Sequence, residues 1–87
     1  MTEVIFDGVF KKQAARLEPR LRKKLAALIA VISEDLYDSR LHTKRLSAPL
    51  SGTLSFRITR DWRVTFRFLS QTTVHLLEIK HRKDIYR

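Results

Sequence analysis

The chain has 87 residues, no cysteine, and 18 Lys and Arg against nine Asp and Glu, for a formal charge of +9. This length supports one domain, spanning 1–87, that leaves about a third of its unfolded surface in water. Without cysteine, neither a disulfide framework nor a cysteine-bearing zinc site can hold the fold. No apolar run reaches the ~18 residues of a membrane span. Met1-Thr2-Glu3-Val4 lacks the basic-then-apolar order of a signal peptide, so the expected location is cytoplasmic.

Charge is unevenly placed. Residues 1–40 carry eight basic and six acidic side chains, residues 41–87 ten and three. Solubility does not require such segregation. A field concentrated in one half of a small domain predicts a polyanionic partner, either nucleic acid or a strongly acidic protein.

Glu3-Val4-Ile5-Phe6 reads as a strand ending at Asp7, a good N-cap. Phe10, Ala14 and Leu17 then recur at helical spacing, predicting a helix from Asp7 to about Leu17. Pro19 suits the first turn of a second helix, running to about Tyr37. Its apolar stripe is Leu21, Leu25, Leu28, Ile29, Ile32 and Leu36. Leu41 to Ser51, with His42, Lys44 and Arg45, reads as a linker punctuated by Pro49 and Gly52. Alternation then takes over. Leu54, Phe56 and Ile58 share one strand face, and Trp62, Val64, Phe66 and Phe68 share the face of the next. After the polar turn 70–73, Val74 to Ile79 reads as an inner strand. The order β-α-α-β-β-β predicts an α+β domain: an N-terminal strand and an αα-hairpin packed on one face of a small antiparallel sheet.

Directly opposed residues share a face, which restricts the register. A three-residue loop, Thr59-Arg60-Asp61, sets Phe56 against Val64 and Arg57 against Arg63. The next hairpin sets Val64 against Ile79, Arg63 against Lys80 and Phe66 against Leu77, with His75 on the helix side as a structural residue. One row on the face away from the helices thus reads Arg57, Arg63, Lys80, beside a row of Ser55, Thr65 and Glu78. Like charges in a row destabilise a sheet. A bound phosphate converts that repulsion into charge-assisted hydrogen bonds, for which the arginine fork is suited. Arg63 is expected to point freely away from the core, so that its loss costs little stability. In the tail, His81 can move a proton near neutral pH, and Tyr86 can donate a hydrogen bond or stack on a base. His42, His75 and His81 lack metal-ligand spacing, and no Gly-rich phosphate loop or nucleophile elbow occurs.

The stretch Leu54-Ser55-Phe56-Arg57-Ile58-Thr59-Arg60-Asp61-Trp62-Arg63-Val64-Thr65-Phe66-Arg67-Phe68 resembles the G-x-x-S-x-R-I-x-x-D-Y-R-V-x-Y segment of the RelE/ParE toxin family. Ile79-Lys80-His81-Arg82-Lys83-Asp84-Ile85-Tyr86-Arg87 is similar to the family's I-x-H-R-x-D-V-Y-R terminus, and Leu46 to Gly52 to its L-x-x-L-x-G approach to the sheet. The resemblance implies the toxin of a type II toxin–antitoxin module. RelE-like members enter the ribosomal A site and cut mRNA there, whereas the ParE-like branch inhibits DNA gyrase. By resemblance, Arg63 contacts the scissile phosphate, Arg82 is the basic residue of the closing motif, and Tyr86 orients the nucleophile or transfers a proton. Arg57 falls near the second of two family lysines and Ser55 at the first, so the base departs from the pattern, and His81 is close enough to replace it. The implied catalytic set is Arg57, Arg63, His81, Arg82 and Tyr86. The phosphate-binding set is Lys44, Arg45, Arg57, Arg63, Lys80, Arg82 and Lys83. Attack by the RNA's own 2′-OH needs no metal and no cofactor. The expected partners are an acidic antitoxin, the ribosome and mRNA. The alternatives are a non-nuclease inhibitor of gyrase and an inactive homologue that only binds an antitoxin.

Overall fold

A computed structural model describes residues 2–46 and 52–85. The predicted Pro49 punctuation and the close of the linker at Ser51 lie outside the described residues. Strand β1, Glu3–Phe6, ends at Asp7, whose carboxylate accepts from the Val9 N–H at 2.9 Å and starts helix α1, Gly8–Ala15. α1 stops short of Leu17 because its last turn tightens, with the Arg16 and Leu17 N–H groups bonding Gln13 and Ala14 at 3.1 and 3.2 Å. Glu18 is extended, as a residue before proline prefers, and Pro19 opens helix α2, Pro19–Glu34. α2 ends three residues before Tyr37. Asp35 turns extended and its side chain accepts from the Tyr37 N–H at 3.0 Å, an Asx turn that competes with another helical turn.

A single 3₁₀ turn, Ser39–Leu41, follows. Asp38 caps it by accepting from the Arg40 N–H at 2.9 Å and from the Arg40 guanidinium at 2.9 and 3.0 Å. These bonds hold the Asp38 carboxyl down at about 2, so this contribution persists above the ordinary carboxylate range and is lost as pH falls toward 2.

The expected linker contains a short strand, β2, Lys44–Arg45, which two residues could not reveal by alternation. Then come β3, Leu54–Arg57; β4, Trp62–Ser70; β5, Thr73–His81; and a last helical turn, α3, Arg82–Ile85. The sheet order is β1-β5-β4-β3-β2. β2 to β5 run antiparallel, but β1 pairs parallel to β5, so the sheet is mixed rather than antiparallel throughout. The helix hairpin carries the chain back across one face between β1 and the other strands. Phe10, Leu25, Leu28 and Ile32 there meet Phe56, Val64, Phe66 and Leu76. Phe56 and Phe66 are fully buried, with ring centroids 5.9 Å apart. Among the described residues no helix is long and apolar enough to cross a membrane.

The expected pairs Arg57–Arg63, Phe56–Val64, Val64–Ile79 and Arg63–Lys80 are present. Beyond Thr65–Glu78 the register slips, and Phe66 faces Leu76 instead of Leu77. Val74, Leu76 and Ile79 are all buried, and strict alternation cannot place all three on one face. A bulge resolves the conflict. It also moves His75 from the expected helix side to the opposite face, paired with Arg67 and with Nε2 3.2 Å from Asp7 Oδ1.

β1 covers β5 only as far as Leu76, leaving the far edge of β5 without a strand. Gln13 of α1 takes that place, its Oε1 accepting from the Ile79 N–H at 2.6 Å. Gln13→Ala should cost about 1–3 kcal/mol by stranding a partly buried donor, measured by urea unfolding. An unchanged midpoint would show that water serves the group equally well.

Candidate phosphate site

Arg57 on β3, Arg63 on β4 and Lys80 on β5 stand side by side on the face away from the helices. The row does not present three open cations. Lys80 is paired with Glu78 at 3.3 Å. Arg63 is only 6% exposed. Its Nε donates to Ser55 Oγ and its Nη2 to the His42 carbonyl, both at 3.0 Å. The expectation that Arg63 projects freely and costs little to remove is therefore corrected: its guanidinium is a buried tie joining β4 to β3 and to the loop after the 3₁₀ turn. Ser55, itself fully buried, is small enough to sit beneath the guanidinium and polar enough to accept from it.

The loop end of that tie has an unusual backbone. His42 adopts the left-handed region at φ 49°, which non-glycine residues rarely occupy. Its N–H bonds Ser39 at 3.3 Å, and the next residue, Thr43, donates its hydroxyl to the Leu36 carbonyl at 2.9 Å. These bonds hold the His42 carbonyl where Arg63 reaches it.

At the edge of the row, Arg57, Arg60, Arg63 and Arg82 line a concavity of about 370 Å³. Arg57 Nε is buried there with no hydrogen-bond partner among the described residues. Arg82 opens α3, its backbone N–H bonding the Asp61 carbonyl at 2.8 Å and its Nε lying 3.7 Å from Asp61 Oδ1. Four guanidinium groups thus line one concavity, with the Asp61 carboxylate beside Arg82, an arrangement suited to an anion. Arg60 has no place in the sequence reading beyond its loop. Its only signal was position: a cation in a tight turn at the end of the strand carrying Arg57.

The remaining candidates separate. His81 lies opposite Trp62 on the helix side of the sheet, edge-on to the indole at 5.2 Å, and does not line the concavity. Its Nδ1 accepts from the Lys83 N–H at 3.3 Å. Lys44 shares the outer face through its pairing with Ser55, whereas Arg45, opposite Leu54, takes the helix side. Lys83 is exposed on α3. Tyr86 lies outside the described residues.

This architecture, a helix hairpin on a five-stranded mixed sheet, is that of small toxins from toxin–antitoxin systems. A chain of the toxin–antitoxin complex RelBE2 from Mycobacterium tuberculosis is 31% identical, with 93% of this chain and 98% of that one covered and a TM-score of 0.67. The chain belongs to the RelE/ParE family of type II toxin–antitoxin toxins. The same fold occurs in a YoeB/ParE toxin from Agrobacterium tumefaciens, at 16% identity over 93% of this chain and 99% of that chain with a TM-score of 0.77. It occurs also in YafQ from E. coli, at 13% identity over the whole of both chains with a TM-score of 0.77. No protein-family model and no curated protein matches the chain.

Arg63→Ala should lower stability by about 2–3 kcal/mol, because Ser55 and the His42 carbonyl lose a charged donor. Arg82→Ala, half exposed, should stay within about 0.5 kcal/mol of the parent. Urea unfolding of both variants decides it, and equal midpoints would refute the tie.

Proposed function

We propose that the chain is a ribosome-dependent mRNA endonuclease that stops translation by cutting the message in the A site. The observation that carries this reading is the concavity lined by four arginines. In the proposed reaction the RNA 2′-oxygen bonds to phosphorus and the bond to the 5′-oxygen breaks. The 2′ proton leaves to a base, and the departing 5′-oxygen takes up a proton. The phosphodiester carries one negative charge and the five-coordinate transition state two. Guanidinium groups fixed beforehand stabilise the second charge most, so they accelerate the step rather than merely bind substrate.

Arg57 and Arg82 fit the role of phosphate ligands, and Arg63 that of a ligand held in place by its own bonds to Ser55 and His42. Lys44, Lys80 and Lys83 supply longer-range attraction for RNA, as does Arg45 from the sheet edge. His81, with Nδ1 accepting from Lys83, carries its proton on Nε2 when neutral. Its lone pair is thus engaged, which counts against the base expected from sequence, and it can donate to the leaving oxygen only as the imidazolium, from a ring that lies outside the concavity. Tyr86 is proposed as the second proton-handling group. The ribosome supplies much of the positioning, which lets so small a protein act.

An acidic antitoxin is the proposed partner. Solved chains of the same fold include the complexes RelBE2, YoeB–YefM from Staphylococcus aureus and RelB–RelE from Methanococcus jannaschii. Two basic surfaces are open to it: the arginine face, and the exposed Lys11, Lys12, Arg16, Arg20, Lys23 and Lys24 of the helix hairpin.

Primer extension on mRNA from a translating extract tests the activity. Cuts within codons on stalled ribosomes are expected, and intact mRNA with poisoned gyrase would replace this reading by the ParE-like one. Arg57→Ala and Arg82→Ala should each lower the cleavage rate about 10²-fold or more. Tyr86→Phe should lower the rate without weakening ribosome binding, and loss of both together would make Tyr86 a binding residue instead.

A further inference from the structure

We infer that Arg60, in the β3–β4 loop, is a phosphate-binding residue of the arginine concavity. The inference rests on the phosphate reading of that site and extends it to a residue that no motif marks. Each of the other three guanidinium groups is constrained. Arg63 is committed to Ser55 and His42, Arg82 is shared with Asp61, and Arg57 has its Nε buried. Arg60 is exposed at the loop tip, as Arg82 is on α3, but unlike Arg82 it makes no hydrogen bond or ion pair among the described residues.

Its backbone, by contrast, is held. The Ile58 and Thr59 N–H groups both bond the Trp62 carbonyl, at 2.9 and 3.2 Å, closing the loop on one side of Arg60. On the other side the Asp61 carbonyl accepts from the Arg82 N–H at 2.8 Å. An unpartnered guanidinium on an anchored backbone is a donor whose ordering cost is partly met before the ligand arrives. A cation needed only for solubility would settle away from like charges. Arg60 instead lines the same concavity as three other guanidinium groups, an arrangement that an anion between them stabilises. Strand, loop and α3 thereby contribute donors from separate backbone segments, as an oxyanion with several acceptor oxygens requires.

The test is titration with inorganic phosphate at constant ionic strength, followed on the arginine Nε–H NMR signals of the parent, Arg60→Ala, Arg60→Lys and Arg67→Ala. Arg67 is exposed on the same sheet face and does not line the concavity, so its variant controls for the loss of one charge. The Arg57, Arg60 and Arg82 signals should move together and saturate. Arg60→Ala should weaken phosphate binding about tenfold, Arg60→Lys less, and Arg67→Ala less than about twofold. Equal weakening in Arg60→Ala and Arg67→Ala, an Arg60 signal that stays still while Arg57 moves, or no saturable binding by the parent would each overturn the assignment. Primer extension on the same proteins separates the two readings. Phosphate binding through Arg60 without mRNA cleavage overturns the nuclease and leaves the Arg60 assignment standing, whereas cleavage with phosphate binding indifferent to Arg60→Ala overturns the assignment alone.

Discussion

The arginine face depends on how Arg63 is accommodated. Two arginines and a lysine abreast on an antiparallel sheet repel one another, and the fold disperses them rather than tolerating the row. Arg63 is drawn down onto Ser55 and across to the His42 carbonyl, and Lys80 is turned to Glu78. One guanidinium is thereby both part of the architecture and a wall of the arginine concavity. The left-handed His42 and the capped turn before it supply the acceptor that completes the tie. Strain of this kind persists only where surrounding bonds over-determine it, and here those bonds run from Asp38 through Thr43.

The second constraint is the parity conflict in β5. Ile79 and Leu76 cannot both face the helices in an unbroken strand, so the bulge is the consequence of keeping both in the core. Its placement decides which residues reach the arginines. On the C-terminal side of the bulge, β5 stays in register with Arg63 and delivers Lys80, His81 and Arg82 to the end of the sheet that bears Arg57 and Arg60. On the N-terminal side the shifted parity pairs the strand with β1, and where β1 runs out Gln13 completes the edge. A slip on the other side of Thr65 would have moved the tail off the arginine end altogether.

The two halves of the molecule divide the charge as well. The helix hairpin carries a solvated basic stripe whose lysines and arginines point into water, as amphipathic helices do. The sheet carries a smaller set of arginines, two of them partly or wholly withdrawn from solvent. Exposed lysines attract a polyanion over a Debye length, whereas arginines with buried nitrogens bind it at short range.

Local patterning settled the elements that span several residues. The Asp7 cap, the Pro19 junction, the alternation of β3 and β4 and the Arg57–Arg63 register all follow from spacing, because side-chain direction in helices and paired strands is periodic. What periodicity could not decide was anything resting on an interruption or on a distant partner. The two residues of β2 are too few to alternate, and the parallel pairing of β1 depends on where the helix hairpin returns the chain. The bulge at β5 breaks the very rule used to read the register, and with it the face of His75. The tertiary structure alone decided that Arg63 is buried, because its acceptors lie on Ser55, eight positions away, and on His42, 21 positions away. Arg60 escaped the reading for the same physical reason: a loop residue has no period, and only the closure of the loop against Arg82 brings it to the other arginines.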